Sequence, residues 1–115
     1  MKMEEQEQRT LIRNLFDNYP EASGGMALRC LKYDYNNFKF LFVDEETEKT
    51  YEVTLPMVME AFPKFVKYVL DGNNRAERWI FKVFDRADIY NEDIWDAISV
   101  DALTQFTIFG EVIYG

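Results

Sequence analysis

Residues 38–43 of the sequence read FKFLFV, a stretch in which phenylalanine recurs at every second position. Alternate side chains of a strand point to the same face, so Phe38, Phe40 and Phe42 are predicted to form the buried face of a β-strand. An aromatic row that stacks nucleic-acid bases needs a basic groove around it, whereas the turn that follows, residues 44–48, is acidic. Core packing is therefore the better interpretation of this row.

Alternating patterns flank this stretch on both sides. Residues 26–35 alternate in two phases, which a bulge near Cys30 and Leu31 would reconcile, and residues 49–54 alternate again. The asparagine pair 36–37 suits a tight turn, because asparagine tolerates positive φ. Three consecutive strands joined by short turns predict an antiparallel meander.

Helical spacing of apolar residues is found before and after the meander. Residues 3–18 predict an amphipathic helix, and the stretch 20–25, which contains a proline and two glycines, predicts a loop. Residues 55–70 predict a second helix with Thr54 at its N-cap. Pro63 is expected to kink this helix or split it, because proline removes a backbone donor.

The last third of the chain predicts two more helices and a strand. The helices are expected over residues 73–87 and 91–105, with a separate helix beginning near Ser99 left open, and the strand over 106–114, which is rich in β-branched and aromatic residues. The fold class is therefore α+β, of order αβββααα(β). It is a small three- or four-stranded antiparallel meander with helices packed on one face.

Length and composition indicate one domain that spans residues 1–115, with 1–8 frayed. A chain of 115 residues with 48% apolar residues can bury one core. No apolar run approaches the ~20 residues that cross a bilayer, and the first residues open no signal peptide. The expected location is the cytoplasm, with no membrane contact.

The residue types that are missing restrict the chemistry. Histidine is absent and Cys30 is the only cysteine, so a single chain can form neither a zinc site, an internal disulfide nor a histidine-dependent catalytic triad. The acidic residues between 85 and 96 lack the central glycine of a calcium-binding loop. We assign no catalytic, metal or cofactor-binding residue, and an enzyme is the less favoured class.

The charge distribution is uneven. The 13 basic and 21 acidic residues give a formal charge of -8, which disfavours direct binding of nucleic acid. Residues 73–87 are basic, whereas 88–115 contain six acidic residues and no lysine or arginine. The cations of the basic segment fall on one helical stripe: Arg75, Arg78, Lys82 and Arg86.

Two interpretations of the charged segments compete. In one, the basic stripe is solvated or paired with neighbouring acids. In the other, the acidic segment and its aromatic residues dock a protein with a basic surface, because complementary fields speed encounter and aromatic rings anchor the complex. The residues of this predicted docking surface are Tyr90, Glu92, Asp93, Trp95, Asp96 and Tyr114.

The leading functional hypothesis is a non-catalytic protein–protein interaction module or a regulatory inhibitor. One version is an inhibitor that imitates the charge of DNA and occupies a basic cleft. The first alternative is a small-molecule-binding protein or a carboxylate-dependent hydrolase with a pocket between meander and helices. The second is a self-assembling structural subunit, in which residues 106–114 pair as an edge strand in a homodimer.

Overall fold

The computed structural model of the chain describes residues 4–24, 26–71 and 89–114. The predicted helix over 73–87 and its basic stripe lie outside the described residues. In chain order the elements are α1 (Glu5–Leu15), α2 (Tyr19–Ala22), β1 (Leu28–Asp34), β2 (Lys39–Asp44), β3 (Thr50–Thr54), α3 (Leu55–Leu70), a 3-10 helix (Glu92–Ile94) and α4 (Ala97–Phe109). This arrangement confirms the α+β class.

The three strands form the predicted antiparallel meander, in the order β1-β2-β3. Phe40 lies opposite Val53 in the register between β2 and β3, and both side chains are fully buried. The register between β1 and β2 shifts between Cys30 and Lys32, so the predicted bulge is confirmed. Because the bulge shifts the alternation of side chains by one residue, the two parts of β1 both pair with β2 although their apolar patterns are out of phase.

The phenylalanine row lies in the core, but only Phe40 and Phe42 belong to β2. Phe38, predicted in the strand, lies in the turn before it with φ 50°. Phe38, Phe40 and Phe42 are each fully buried. Phe16, which follows α1, packs against Phe38 and Phe40 at ring-centroid distances of 5.1 and 5.3 Å. The prediction of core packing is therefore confirmed, and the helices cover this face of the sheet.

Two expectations about the first third of the chain need correction. The helix predicted over 3–18 is shorter, because α1 ends at Leu15 and the chain then turns. The first residues of the loop predicted over 20–25 belong instead to α2, where Pro20 occupies the first turn, and the turn begins at Ser23. Proline is tolerated there because its missing N–H has no partner in a first helical turn.

Helix α3 runs without interruption from Leu55 to Leu70, so Pro63 does not split it. Thr54 occupies the predicted N-cap position. The buried side of α3 carries Val58, Phe62 and Phe65, which join the core. Among the described residues, no helix combines the length and apolar character needed to span a membrane.

The predicted strand over 106–114 is wrong. Phe106 and Phe109 belong to the last turns of α4, and no residue from 110 to 114 is in a strand. Gly110 ends the helix with φ 76°, and its N–H donates to the Phe106 carbonyl at 2.8 Å. A glycine accepts this left-handed conformation without steric cost, which makes it a helix terminator.

The helix predicted over 91–105 is also wrongly bounded. Its beginning is the separate 3-10 helix, and α4 starts at Ala97. Asp96 caps α4, since its Oδ1 accepts from the Ser99 N–H at 2.9 Å. Residues 99–106 of α4 are all buried, so this helix passes through the interior.

Side chains bond several backbone groups of the edge strand β1. Asp101 Oδ1 accepts from the Leu28 N–H at 3.2 Å, and Ser23 Oγ accepts from the Cys30 N–H at 2.9 Å. The Cys30 thiol donates to the Lys32 carbonyl at 3.4 Å. These groups are satisfied without a fourth strand.

Candidate functional site

A cleft of about 520 Å³ lies between the end of α1 and the start of α4. One wall comes from the end of α1 and the residues up to Tyr19, and the other from the 3-10 helix and the first turn of α4. The lining residues are Asn14, Leu15, Asp17, Asn18, Tyr19, Glu92, Asp93, Trp95, Asp96, Ala97 and Val100.

The lining of the cleft carries charge of one sign. Four carboxylates line it, those of Asp17, Glu92, Asp93 and Asp96, and all four residues are exposed. Lysine and arginine are absent from its described lining. The nearby Arg13 turns away, because its guanidinium bonds the Tyr35 carbonyl at 3.4 Å. The carboxylates therefore produce a negative potential inside the cleft.

Trp95 fixes the aromatic part of the cleft. Its Nε1 donates to the Ile89 carbonyl at 2.8 Å, and its ring packs on Phe62 and Phe65 at centroid distances of 6.2 and 6.1 Å. The residue is half-buried, so part of it remains at the cleft. An aromatic side chain held by the core loses little conformational entropy when a partner packs against it.

The structure brings together four of the six residues predicted as a docking surface. Glu92, Asp93, Trp95 and Asp96 all line the cleft. The other two lie elsewhere. Tyr90 packs on Phe62 at a centroid distance of 6.2 Å, and Tyr114 is bonded to Asp44. The predicted basic stripe, Arg75, Arg78, Lys82 and Arg86, lies outside the described residues.

The contact between Tyr114 and Asp44 joins the last described residues to the hairpin of β2 and β3, which we call the second hairpin. The Tyr114 hydroxyl lies 2.8 and 3.0 Å from the two Asp44 carboxylate oxygens. This hydrogen bond, together with burial, raises the pKa of Tyr114 to about 12. Burial raises the pKa of Asp44, but hydrogen bonds from Tyr114 and from the amides of Glu46 and Thr47 outweigh it and hold that pKa below its usual range.

A second set of polar side chains is buried beside the cleft and was not predicted as a site. The Tyr19 hydroxyl donates to Asp101 Oδ1 at 3.0 Å, and Gln105 Nε2 donates to Asp101 Oδ2 at 2.7 Å. Asp101 is only 6% exposed and Gln105 only 1%. The Leu28 N–H completes the donors to this carboxylate.

Burial dominates the electrostatics of this second set. It raises the pKa of Asp101 above the usual range, although hydrogen bonds from Gln105, Tyr19 and Leu28 oppose the shift. The pKa of Tyr19 is also raised, first by burial and then by the negative Asp101 beside it. Asp101 and Tyr19 therefore each influence the pKa of the other.

The chemistry that the described residues offer at the cleft is that of carboxylates and one aromatic ring. Among the described residues, no three acidic or cysteine side chains are placed to share a metal ion. Burial raises the pKa of the Cys30 thiol, which keeps it protonated and weakly nucleophilic. The site can attract a cation and pack an apolar group on Trp95.

No family model, no curated protein sequence and no solved structure matches this chain. The function must therefore be inferred from the chemistry of the cleft.

Sequence signals were present for some of the features that were missed. Asp96 followed by Ser99 is a helix cap, and Gly110 after an apolar run is a helix terminator, so α4 could have been bounded. Asp17 lies beside a proline-containing turn, with no sign that it faces the 3-10 helix. Burial of Asp101 and Gln105 follows from tertiary packing and has no local signature.

Proposed function

We propose that the protein is a non-catalytic binding module that docks a basic segment of another protein in the acidic cleft. The observation that carries this proposal is the lining of the cleft: four exposed carboxylates and Trp95, with no cation among the described lining residues. The wider negative charge of -8 adds long-range attraction for a basic partner.

The exposure of the carboxylates favours binding over stability as their role. Exposed carboxylates keep their hydration, so a guanidinium or ammonium group can approach with a small desolvation cost. Some exposed acids elsewhere in the described residues have cations beside them, as Glu45 has Arg29 at 2.6 Å and Glu60 has Lys64 at 3.6 Å, whereas others, such as the acids of the turn at 45–48, do not all have one. The cleft acids have no such ion pair within the described part of the chain.

Trp95 supplies the apolar half of the recognition. An arginine side chain can place its guanidinium among the carboxylates and its methylene groups against the indole. Arginine also stacks on aromatic faces and donates five N–H groups in a planar fork, which suits several carboxylates at once. A segment rich in arginine is therefore the partner of best fit.

The test uses an oligo-arginine peptide with a fluorescent label. We expect the triple variant Asp17→Asn, Glu92→Gln, Asp93→Asn to weaken binding about tenfold at low salt, because each exposed charge pair contributes roughly 0.5 kcal/mol. Asp96 is left unchanged because it caps α4. Fluorescence anisotropy gives the dissociation constants.

The matched control removes the same number of charges elsewhere. Glu46, Glu48 and Glu52 are exposed and lie outside the cleft, so their triple change to glutamine should weaken binding by about twofold at most. If peptide binding weakens equally in both triple variants, the affinity depends only on the net charge of the protein. That result would contradict the proposal.

A second candidate function is the binding of a small cationic molecule. The volume of the cleft, about 520 Å³, lies within the range of small-molecule sites, and its lining is polar. Thermal denaturation with spermidine or arginine amide distinguishes the candidates. Stabilisation at one site per chain, with competition against the peptide, would favour the small ligand.

A further inference from the structure

The segment 110–114, which we call the strap, is anchored at Val112, which is buried and donates its N–H to the Tyr68 hydroxyl at 3.5 Å, and at a second point by the buried side chain of Gln105. The Gln105 Oε1 accepts from the N–H groups of Ile113 and Tyr114 at 3.0 and 2.9 Å. The Gln105 Nε2 donates to the Tyr114 carbonyl at 3.2 Å. The carboxamide thus bonds both backbone groups of Tyr114, as a neighbouring strand would.

The same carboxamide is fixed by Asp101. Its Nε2 also donates to Asp101 Oδ2 at 2.7 Å, so rotating the amide would turn Oε1 toward a carboxylate. Gln105 can therefore hold the strap in one orientation only. Both side chains are buried, where water cannot readily replace a lost partner.

Asp101 in turn is bonded to a wall of the acidic cleft. Its Oδ1 accepts from the hydroxyl of Tyr19, and Tyr19 lines the cleft. Ala97 and Val100 of α4 line the same cleft, one helical turn and one residue before Asp101. The connection from strap to cleft is therefore continuous in hydrogen bonds.

We propose that the strap and the acidic cleft are conformationally coupled through Gln105, Asp101 and Tyr19, so that loosening the strap changes the cleft. If the strap leaves, Gln105 loses two donors and is free to turn. Asp101 then loses the donor on Oδ2, and its bonds to Tyr19 and Leu28 readjust. The consequence for a partner rests on the proposed function, but the coupling itself does not.

Tyr114 is the point at which the strap can be loosened with the smallest change. Tyr114→Phe removes the hydroxyl that bonds Asp44 and keeps the ring that packs on Phe109 at a centroid distance of 6.5 Å. Tyr19→Phe removes the hydroxyl at the other end of the connection. Tyr33→Phe is the matched control, since Tyr33 is 50% exposed and its hydroxyl makes no hydrogen bond within the described residues.

A double-mutant cycle measures the coupling. Each substitution changes the unfolding equilibrium constant by some factor. In the double variant Tyr19→Phe, Tyr114→Phe the measured factor should differ from the product of the two single factors by about twofold or more. The pair Tyr33→Phe and Tyr114→Phe should multiply within that margin. If both double variants equal the product of their single factors, the proposal is overturned, because a chain of neighbouring hydrogen bonds is not by itself evidence of energetic coupling.

A second measurement does not depend on Tyr19→Phe being folded. Amide NMR spectra of Tyr114→Phe should show shifts at Asn18, Tyr19 and Ala97, which line the cleft, in addition to those at the strap. Shifts confined to the strap and the second hairpin would overturn the coupling. Neither measurement uses a peptide. A failure to bind oligo-arginine would therefore contradict the proposed function without affecting the test of the coupling.

Discussion

Asp44 and Asp101 are both almost fully buried carboxylates, but they lie in different surroundings. Asp44 ends β2, where the residues that follow, 45–50, are exposed. Asp101 lies in the middle of α4, between α2 and β1. The pKa of Asp44 is lowered and that of Asp101 is raised.

The comparison shows that a lack of exposed surface does not by itself set the direction in which the pKa of a carboxylate shifts. Each group has three donors, so the number of hydrogen bonds does not explain the opposite pKa shifts. What separates them is the depth of the protein around each group. At the end of a hairpin the donors outweigh desolvation, whereas inside a helical layer desolvation outweighs the donors.

The largest expected effect is at Asp101. Asp101→Ala removes the acceptor of three buried donors, on Tyr19, Leu28 and Gln105, and should lower the free energy of unfolding by about 3 kcal/mol or more. Urea denaturation followed by circular dichroism measures this loss. The control Asp93→Ala, at an exposed position, should change stability by less than about 0.5 kcal/mol. A loss of stability in Asp101→Ala as small as the one expected for Asp93→Ala would mean that Asp101 has no structural role.

A smaller loss is expected at Asp44. Asp44→Asn keeps an oxygen for the amides of Glu46 and Thr47 but replaces the charged acceptor of Tyr114, so stability should fall by about 1 to 2 kcal/mol. Urea midpoints compare it with Glu46→Gln, an exposed neighbour that should be nearly neutral. A loss as large as that of Asp101→Ala would remove the distinction between the two regions.

The smallest but most specific effect is the pH dependence. The contribution of Asp44 is present above about pH 3.9 and is lost as pH falls through its lower folded pKa. The contribution of Asp101 is largest below about pH 3.9 and is lost as pH rises through its higher folded pKa.

Urea midpoints of the wild type, Asp44→Asn and Asp101→Asn at several pH values test these signs. As pH falls, the difference in urea midpoint between the wild type and Asp44→Asn should become smaller. The stability of the wild type relative to Asp101→Asn should instead increase. Gaps that change in the same direction would contradict the opposite pKa shifts.

Local patterns were sufficient to predict the meander. The phenylalanine row, the bulge and the acidic turn each depend on neighbours in sequence, and the alternation of period two survives in the fold. The interior helix α4 was harder, because burial on every side of residues 99–106 removes the polar face that gives a helix its period. The β-branched and aromatic residues near its end then favoured a strand.

The candidate site was predicted only in part, for a related reason. Glu92, Asp93, Trp95 and Asp96 are close in sequence, so one charged segment indicated them together. Asp17 joins them only because α1 packs beside the 3-10 helix, a tertiary contact. Tyr114 was grouped with them by composition, but the strap carries it to Asp44.

The side-chain caps on β1 limit how this molecule can meet extended peptides. An incoming chain that tried to lengthen the sheet would have to displace Asp101, Ser23 and Cys30 from the main chain before forming ladder bonds of its own. Fibril growth and strand exchange along this margin are disfavoured for the same reason. The exposed side chains of Leu31 and Tyr33 therefore lie on an edge strand whose backbone is partly bonded by side chains.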